Sequence, residues 1–339
     1  MLKNINKTIL SGAAICALSA ASVSAQTTLR MQSHTAQSSP YGVAIEKFVG
    51  NVNTMSGGDV VIEMFYGSSL VPSAETFDAA KNGVLDCDMT NGSYQTGKNA
   101  AFQFVADTMG GYDTPLQYQA WVQAGGGKEA INDLYASHNM TFIGSHVGGQ
   151  ESLSSTRPLA GVADLKGFKF RSPPGMESDI FAALGASPIV MDFTEVITAL
   201  DSGIIDGADA STLATNLNIG VYDIAKHTTF PGFHSMSSDH LACRTDVWNG
   251  LSDQQRRIIE ISHNQVAMDV MIATLVLNGE ALAQMDAKGV TTYNWSKEDR
   301  ATFRGAAQDA WADWGSKTPE AGKMVASHEA FLKRIGLAK

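Results

Sequence analysis

Apolar positions along this chain switch between two periods, and the switches lay out its elements. From Thr27 to Thr35, Leu29 and Met31 alternate with Arg30 and Gln32, the period of a strand. Pro40 then opens a stretch with apolar residues at Tyr41, Ala44, Ile45, Phe48, Val49, Val52 and Met55. Steps of three and four mark one helical face, and Gly57-Gly58 stops it. Asp59 to Tyr66 reads as a second strand, Ser73 to Asn82 as a helix closed by Gly83, and Val84 to Thr90 as a third strand. This β-α-β-α-β order, with short connections, predicts a parallel sheet covered by helices.

The same unit returns later. Glu75-x3-Ala79-x3-Gly83-Val84-Leu85-Asp86 matches Glu195-x3-Ala199-x3-Gly203-Ile204-Ile205-Asp206. In each, a helix ends at glycine and feeds an apolar strand that carries an aspartate. With the strand Phe168-Lys169-Phe170-Arg171 and the helix Met176 to Leu184 before it, the second copy reads as a second α/β lobe. From residue 251 the pattern turns helical. Ser252-x-x-Gln255 is a capping box, and no proline interrupts the chain before Gly289. A helix of up to about 36 residues, roughly 54 Å long, exceeds one lobe and has to run along both. Ser296-x-x-Asp299 caps a further helix with Phe303, Ala307, Ala310, Trp311 and Trp314 on one face; Pro319 breaks it, and a last helix runs to Ile335.

Charge and composition narrow the class. Lys3 and Lys7 precede a short apolar run, Ile9 to Ala21, and Val23-Ser24-Ala25 fits a cleavage site, which reads as a secretory signal peptide over residues 1–25. The whole chain of 339 residues carries a net charge of −10, and removing those two lysines makes the mature chain more acidic. An acidic exported chain is a poor partner for nucleic acid or an anionic membrane surface. At 44% hydrophobic and 17% charged it is not disordered. The remaining cysteines, Cys87 and Cys243, are too few for a disulfide-stapled domain and are expected as two small buried thiols, pairing only if the fold brings them together.

Enzyme signatures are missing. There is no Gly-x-Ser-x-Gly, His-Glu-x-x-His or Cys-x-x-Cys, and Gly125-Gly126-Gly127-Lys128 lacks both the Ser/Thr and the earlier glycine of a phosphate loop, so it is expected as a loop or helix kink. His138 with His146, and His234 with His240, find no third metal ligand at a telling spacing and are expected as surface or satisfied core histidines. What stands out are polar residues where strands end, the place where open α/β sheets bind ligands. Arg171 closes its strand and is followed by Ser172-Pro173-Pro174-Gly175; its planar fork suits a carboxylate. Asp209 follows Ile204-Ile205-Asp206, and Asn91 and Tyr94 hold the corresponding place in the first lobe. His34 and Asp209 are the cleft candidates for a base or nucleophile, without triad spacing.

Met31-Gln32, Met55-Ser56-Gly57-Gly58, Gly97-Lys98-Asn99, Asp164-Leu165-Lys166-Gly167-Phe168-Lys169-Phe170-Arg171 and Gly203-Ile204-Ile205-Asp206-Gly207 follow in order. Through them the chain resembles the solute-binding proteins of TRAP (tripartite ATP-independent periplasmic) transporters. Tyr118 to Tyr135 is most similar to the branch that binds 2-oxo acids and related small organic acids. The resemblance implies a two-lobed, type II-like periplasmic binding protein of α/β class, with its cleft between the lobes and a long helix spanning both. It divides the chain into lobe I (26–148 with about 237–270), lobe II (149–236 with about 271–295) and C-terminal helices over 296–339. It implies a non-enzymatic receptor, in the periplasm, that hands a small organic anion to a membrane permease. A homodimer through the C-terminal helices is expected as well. Arg171 matches the arginine that clamps the substrate, and His34, Asn91, Tyr94, Gln150 and Asp209 complete the substrate-binding set. A sodium or calcium ion beside the substrate is expected on Gln150, Asp209 and the backbone of Ala210. Asp209 stands where the usual acid is Glu, and Ala210 where Asn or Trp is usual.

Overall fold

The computed structural model describes residues 26–338, so the signal peptide lies outside the described residues. Eleven strands form two sheets: β1 (Thr27–Ser33), β2 (Val60–Phe65), β3 (Cys87–Met89), β4 (Met140–His146), β5 (Ser154–Ser155), β6 (Lys169–Ser172), β7 (Ser187–Val190), β8 (Gly207–Ala208), β9 (His227–Thr229), β10 (Asp239–Arg244) and β11 (Thr291–Tyr293). One sheet has the order β2-β1-β3-β10-β4 and the other β11-β9-β5-β8-β6-β7. Two α/β lobes follow, each with its own apolar core: Ile45, Phe48, Ile62 and Val266 among others in the first, Val196, Leu213, Val221 and Met285 in the second. A third cluster joins Phe102 and Trp121 to Phe168, Phe181 and Trp311, and so ties the lobes to the C-terminal helices.

The repeat seen in sequence is a repeat in structure. β1 pairs in parallel with both β2 and β3, and β6 pairs in parallel with both β7 and β8. In each lobe an aspartate locks the central strand. The Arg30 amide donates to Asp86 Oδ2 at 2.8 Å, and the Lys169 amide donates to Asp206 Oδ2 at 3.2 Å. The strands after the repeated helices start later than the apolar runs suggest. Gly83 and Gly203 take positive φ (83° and 70°), and the next two amides fold back onto Ala79 and Ala199 carbonyls respectively. Val84 and Ile204 are left facing solvent, so a run of apolar residues did not mark the strand itself.

The chain crosses between the sheets over residues 147–153 and again over 230–238. The third bridge is the helix Asp253–Leu282, 30 residues long, about 45 Å at 1.5 Å per residue. Its first half packs Ile258, Ile259, Val266 and Val270 into the first core; its end places Ala281 in the second, and Asn278 Oδ1 accepts the Ala214 amide at 2.9 Å. It stops at Leu282, earlier than the capping pattern suggests, and turns lead to Val290. The helices Lys297–Ser316 and Pro319–Arg334 bury Phe303, Ala307, Trp311, Met324 and Phe331 against the rest of the chain. Gly125-Gly126-Gly127 makes the expected corner between the helices Pro115–Ala124 and Gly127–Ala136.

The expectation of free thiols is corrected. Cys87 and Cys243 are direct cross-strand partners on β3 and β10 and form a disulfide. Sequence distance hid this, because β10 returns to the first sheet after the whole second lobe. The bond closes a separation of 156 residues. Replacing both cysteines by alanine is therefore expected to lower stability by about 3–5 kcal/mol, read as a lower urea midpoint for the oxidised protein. An unchanged midpoint would show that the tie contributes nothing.

Candidate ligand cleft

A cavity of about 70 Å³ lies between the lobes. Its walls come from strand ends and the segments just after them, because there the backbone leaves the sheet and turns its side chains toward the opposite lobe. His34 follows β1, Asn91 and Tyr94 follow β3, Arg171 closes β6, and Asp209 and Ala210 follow β8; all six line the cavity. Gln150 does not. Its amide donates to the Asp113 carbonyl at 3.3 Å, and the next residue, Glu151, faces the cavity instead. Asn91 is held by its neighbours: Nδ2 reaches Ser237, Ser238 and Asp239, and Oδ1 caps the following turn at Ser93.

Arg171 is 3% exposed. Nε donates to the Met191 carbonyl at 3.1 Å and Nη1 to the Asp209 carbonyl at 2.6 Å. Both acceptors come from the segments after the flanking strands β7 and β8, so sheet register aims the guanidinium. Phe193 lies beneath it, 6.0 Å from Cζ to the ring centre. Among the described residues Nη2 has no acceptor, and no carboxylate stands within salt-bridge distance of the fork. A buried guanidinium with one arm unengaged and facing a cavity has the chemistry to take an anion there.

Behind Arg171 sits a buried group that the sequence reading did not assemble: Asp107, Glu151, Glu177, His234 and Ser235. His234 Nε2 is 3.0 Å from Asp209 Oδ1 and 3.9 Å from Glu177 Oε1. Ser235 Oγ reaches Asp107 Oδ2 at 2.5 Å and Glu151 Oε2 at 2.9 Å. Glu177 is fixed through Ser172 at 2.6 Å, while its Oε1 is buried without a hydrogen-bond partner. Gly175, at φ 127°, makes the approach possible, since a Cβ there would meet Gln103 Oε1 at 2.2 Å, and that oxygen accepts the Met176 amide. His234, expected as a surface or satisfied core histidine, is a core one, and ligand atoms of Glu177, Asp209 and His234 lie within 4.8 Å of one another. These three come from separate segments, so no spacing could reveal them. Glu177 alone had a signal, the first turn of the helix after a cleft strand.

Burial sets the proton affinities. It raises Glu151 and Glu177 well above the usual carboxylate range, with the nearby charge of Asp209 adding to the effect. Asp107 is pushed up to about 7, mainly by burial. Asp209 is equally buried, yet His234, Glu151 and Arg171 around it hold its pKa below normal. Tyr94 is raised to about 12 by burial. An acid whose pKa is higher folded than unfolded stabilises the fold most below its unfolded value and loses that contribution as pH rises through the folded one. The ligand-free protein should therefore melt at progressively lower temperature from pH 5 to pH 8. Asp107→Asn should flatten part of that slope, and a slope identical to the parent's would remove Asp107 as a source.

Comparison with known proteins bears on this cleft. Residues 31–318 match the family described as bacterial extracellular solute-binding protein, family 7. A monocarboxylate 2-oxoacid-binding periplasmic protein of Nostoc sp. is 27% identical over 295 residues, covering 86% of this chain and 80% of the relative. A TRAP periplasmic solute-binding protein of Rhodobacter sphaeroides, in an apo open structure, is 34% identical with a TM-score of 0.73, covering 92% of this chain and 99% of that one. A TRAP solute-binding protein of Bordetella bronchiseptica, a dimer of mixed occupancy with calcium and picolinate in its active site, is 24% identical with a TM-score of 0.84, covering 92% and 93%.

Proposed function

This chain belongs to the bacterial extracellular solute-binding proteins of family 7, the non-enzymatic periplasmic receptors of TRAP transporters, and we propose that its cleft captures a small monocarboxylate, of the 2-oxo or 2-hydroxy acid kind, for the membrane permease. The observation that carries this reading is the buried Arg171 fork with a free Nη2 facing the cavity. A ligand carboxylate supplies the missing anion; His34, Asn91 and Tyr94 contribute polar edges from lobe I, and Asp209 and Ala210 complete the lobe II wall. The cavity of about 70 Å³ gives room for roughly five to seven water-sized groups, which favours a small acid over a sugar acid. The Nostoc relative's 2-oxoacid ligands agree with that size.

Capture proceeds by lobe closure about the two crossings and the bridging helix, with the lobes divided as 26–148 with 237–270, and 149–236 with 271–295. Two contacts support reading this structure as closed: Ser73 Oγ donates to Asp192 Oδ1 at 2.9 Å, and Gln103 joins the Met176 amide at 2.7 Å. Lower superposition on the open Rhodobacter structure, despite its higher identity, points the same way.

A sodium or calcium ion would be held beside the ligand by this cluster. The donors fit a hard cation: Glu177 Oε1 is buried and unpartnered, the Asp209 carboxylate is held ionised, and the two lie together with His234. Glu177 takes the place expected of Gln150, whose side chain turns toward Asp113. The ion would offset the repulsion between Asp209 and an incoming anion.

A charge-assisted pair is worth about 1.5–3 kcal/mol, and an orphaned partner costs more, so Arg171→Ala should weaken binding about a hundredfold or more by calorimetry. Arg171→Lys should recover little of this, since a point charge cannot reproduce the fork. Near-parental affinity in the alanine variant would sink the assignment. Ligands for that titration come from a thermal-shift screen over 2-oxo, 2-hydroxy, dicarboxylic and sulfonic acids.

Binding in sodium-free, chelated buffer should be about tenfold weaker than with sodium or calcium, at matched ionic strength. Glu177→Gln should abolish that difference. Equal affinity with and without the ions would mean that protons alone neutralise the cluster.

A further inference from the structure

Lobe I brings to the cavity a histidine and an aspartate that the capture of a carboxylate alone does not employ. His34 leaves β1 and lines the cavity, 9% exposed. Its ring packs against Tyr94, with 6.0 Å between centres, and against Phe193 of lobe II at 5.6 Å. Phe193 is also the ring that lies beneath the Arg171 guanidinium.

The two ring nitrogens of His34 differ in their surroundings. Nε2 stands 3.4 Å from Asp239 Oδ2, whereas Nδ1 is buried without a hydrogen-bond partner among the described residues. Asp239 is fixed from both sides. It opens β10 directly opposite His146 on β4, its backbone bridges to Asn91, and its Oδ1 accepts from Asn91 Nδ2 at 3.1 Å. His146 Nε2 lies 3.9 Å from the same Oδ2, but burial lowers that ring's pKa to about 4, so it stays neutral and leaves Asp239 to His34. Tyr94, raised to about 12 by burial, keeps its proton. Asp192 and Arg171, both of lobe II, complete the charged groups around the imidazole. A carboxylate only accepts, so the ring nitrogen beside it carries the hydrogen. In a neutral imidazole the other nitrogen is then a lone-pair acceptor, and an acceptor shut off from water calls for a donor.

We propose that His34, oriented by Asp239, reads the ligand's second oxygen and selects a 2-hydroxy acid over the 2-oxo acid of the same skeleton. The inference rests on Arg171 holding the ligand carboxylate, which places the substituent of the next carbon beside the imidazole. A hydroxyl there donates to Nδ1. A keto oxygen sets lone pair against lone pair, and both stay unpaired in a closed site. Cavity size does not separate the two acids, which differ only by hydrogen. His34 is therefore the specificity determinant, and Asp239 is a positioning residue.

Calorimetry of the mature protein with each enantiomer of lactate and with pyruvate, at matched pH and salt, tests this. The better lactate enantiomer should bind about tenfold or more tighter than pyruvate, the cost of leaving a buried acceptor unpaired. His34→Asn can turn either its oxygen or its amino group inward and should bring the ratio near one. Asp239→Asn should shrink the ratio as well, because an amide no longer dictates which ring nitrogen carries the hydrogen. Arg171→Ala should weaken both acids alike. In the ligand-free protein, nitrogen NMR of the His34 ring should show a protonated Nε2 and a bare Nδ1. Pyruvate binding as tightly as lactate would overturn this inference and leave the monocarboxylate reading standing. So would a ratio unchanged in either asparagine variant, or an imidazolium in the spectrum. Binding of neither acid would overturn both.

Discussion

A guanidinium taken out of water needs oxygen atoms around it, and the arrangement of the second lobe follows from meeting that need only in part. Two of the required acceptors are backbone carbonyls, those of Met191 and Asp209, supplied by the segments that leave the strands on either side of Arg171. Because β7 and β8 flank β6 in fixed parallel register, those carbonyls cannot drift, and the rest of the fork is held out toward the opposite lobe. The deficit that remains faces the cavity, where an anion would fill it.

The neighbouring carboxyl groups keep this from being a simple positive site. Left ionised, four acids in one buried volume would repel both each other and any carboxylate that entered. Burial makes Asp107, Glu151 and Glu177 keep their protons more tightly, while His234 and Arg171 keep Asp209 charged. Without a cation, the cluster thus sets carboxyls of raised proton affinity beside one that stays anionic. Ser235, on the second crossing, links the group across the lobes, because Asp107 belongs to the first lobe and Glu151 to the first crossing.

Local signals were enough for the parts of this molecule that local physics decides. Capping residues and period-two or period-3.6 patterns marked the helix starting after Ser39, the long helix after Ser252 and the strands β1, β2 and β6, since each buries one continuous face. The aspartate repeat revealed the second lobe. That Arg171, His34, Asn91, Tyr94 and Asp209 would line the cavity was legible because a strand end in an open sheet is a place that sequence can identify. The disulfide, the partners of His234 and the orientation of Gln150 were not, because each depends on segments that meet only after the chain has crossed between sheets twice. The direction in which one side chain turns at residue 150 or 151 is decided by the loop around Asp113, and a one-residue alternative of that kind leaves no periodic trace.

Superposing the two repeats residue by residue gives Arg171 a counterpart. Register sets Met31 against Cys87 and Phe170 against Gly207, so Gln32 occupies in the first lobe the position of Arg171 in the second. Both side chains reach for the chain leaving the next strand, but Gln32 is fully engaged there, with Leu70, Val71 and Thr76 around its amide. The same corner is thus filled twice to different ends, as a brace in one half and with part of its fork unengaged in the other. Two lobes built on one plan thus differ at this corner in whether a side chain spends its hydrogen-bonding capacity inside its own lobe or holds part of it out to the other.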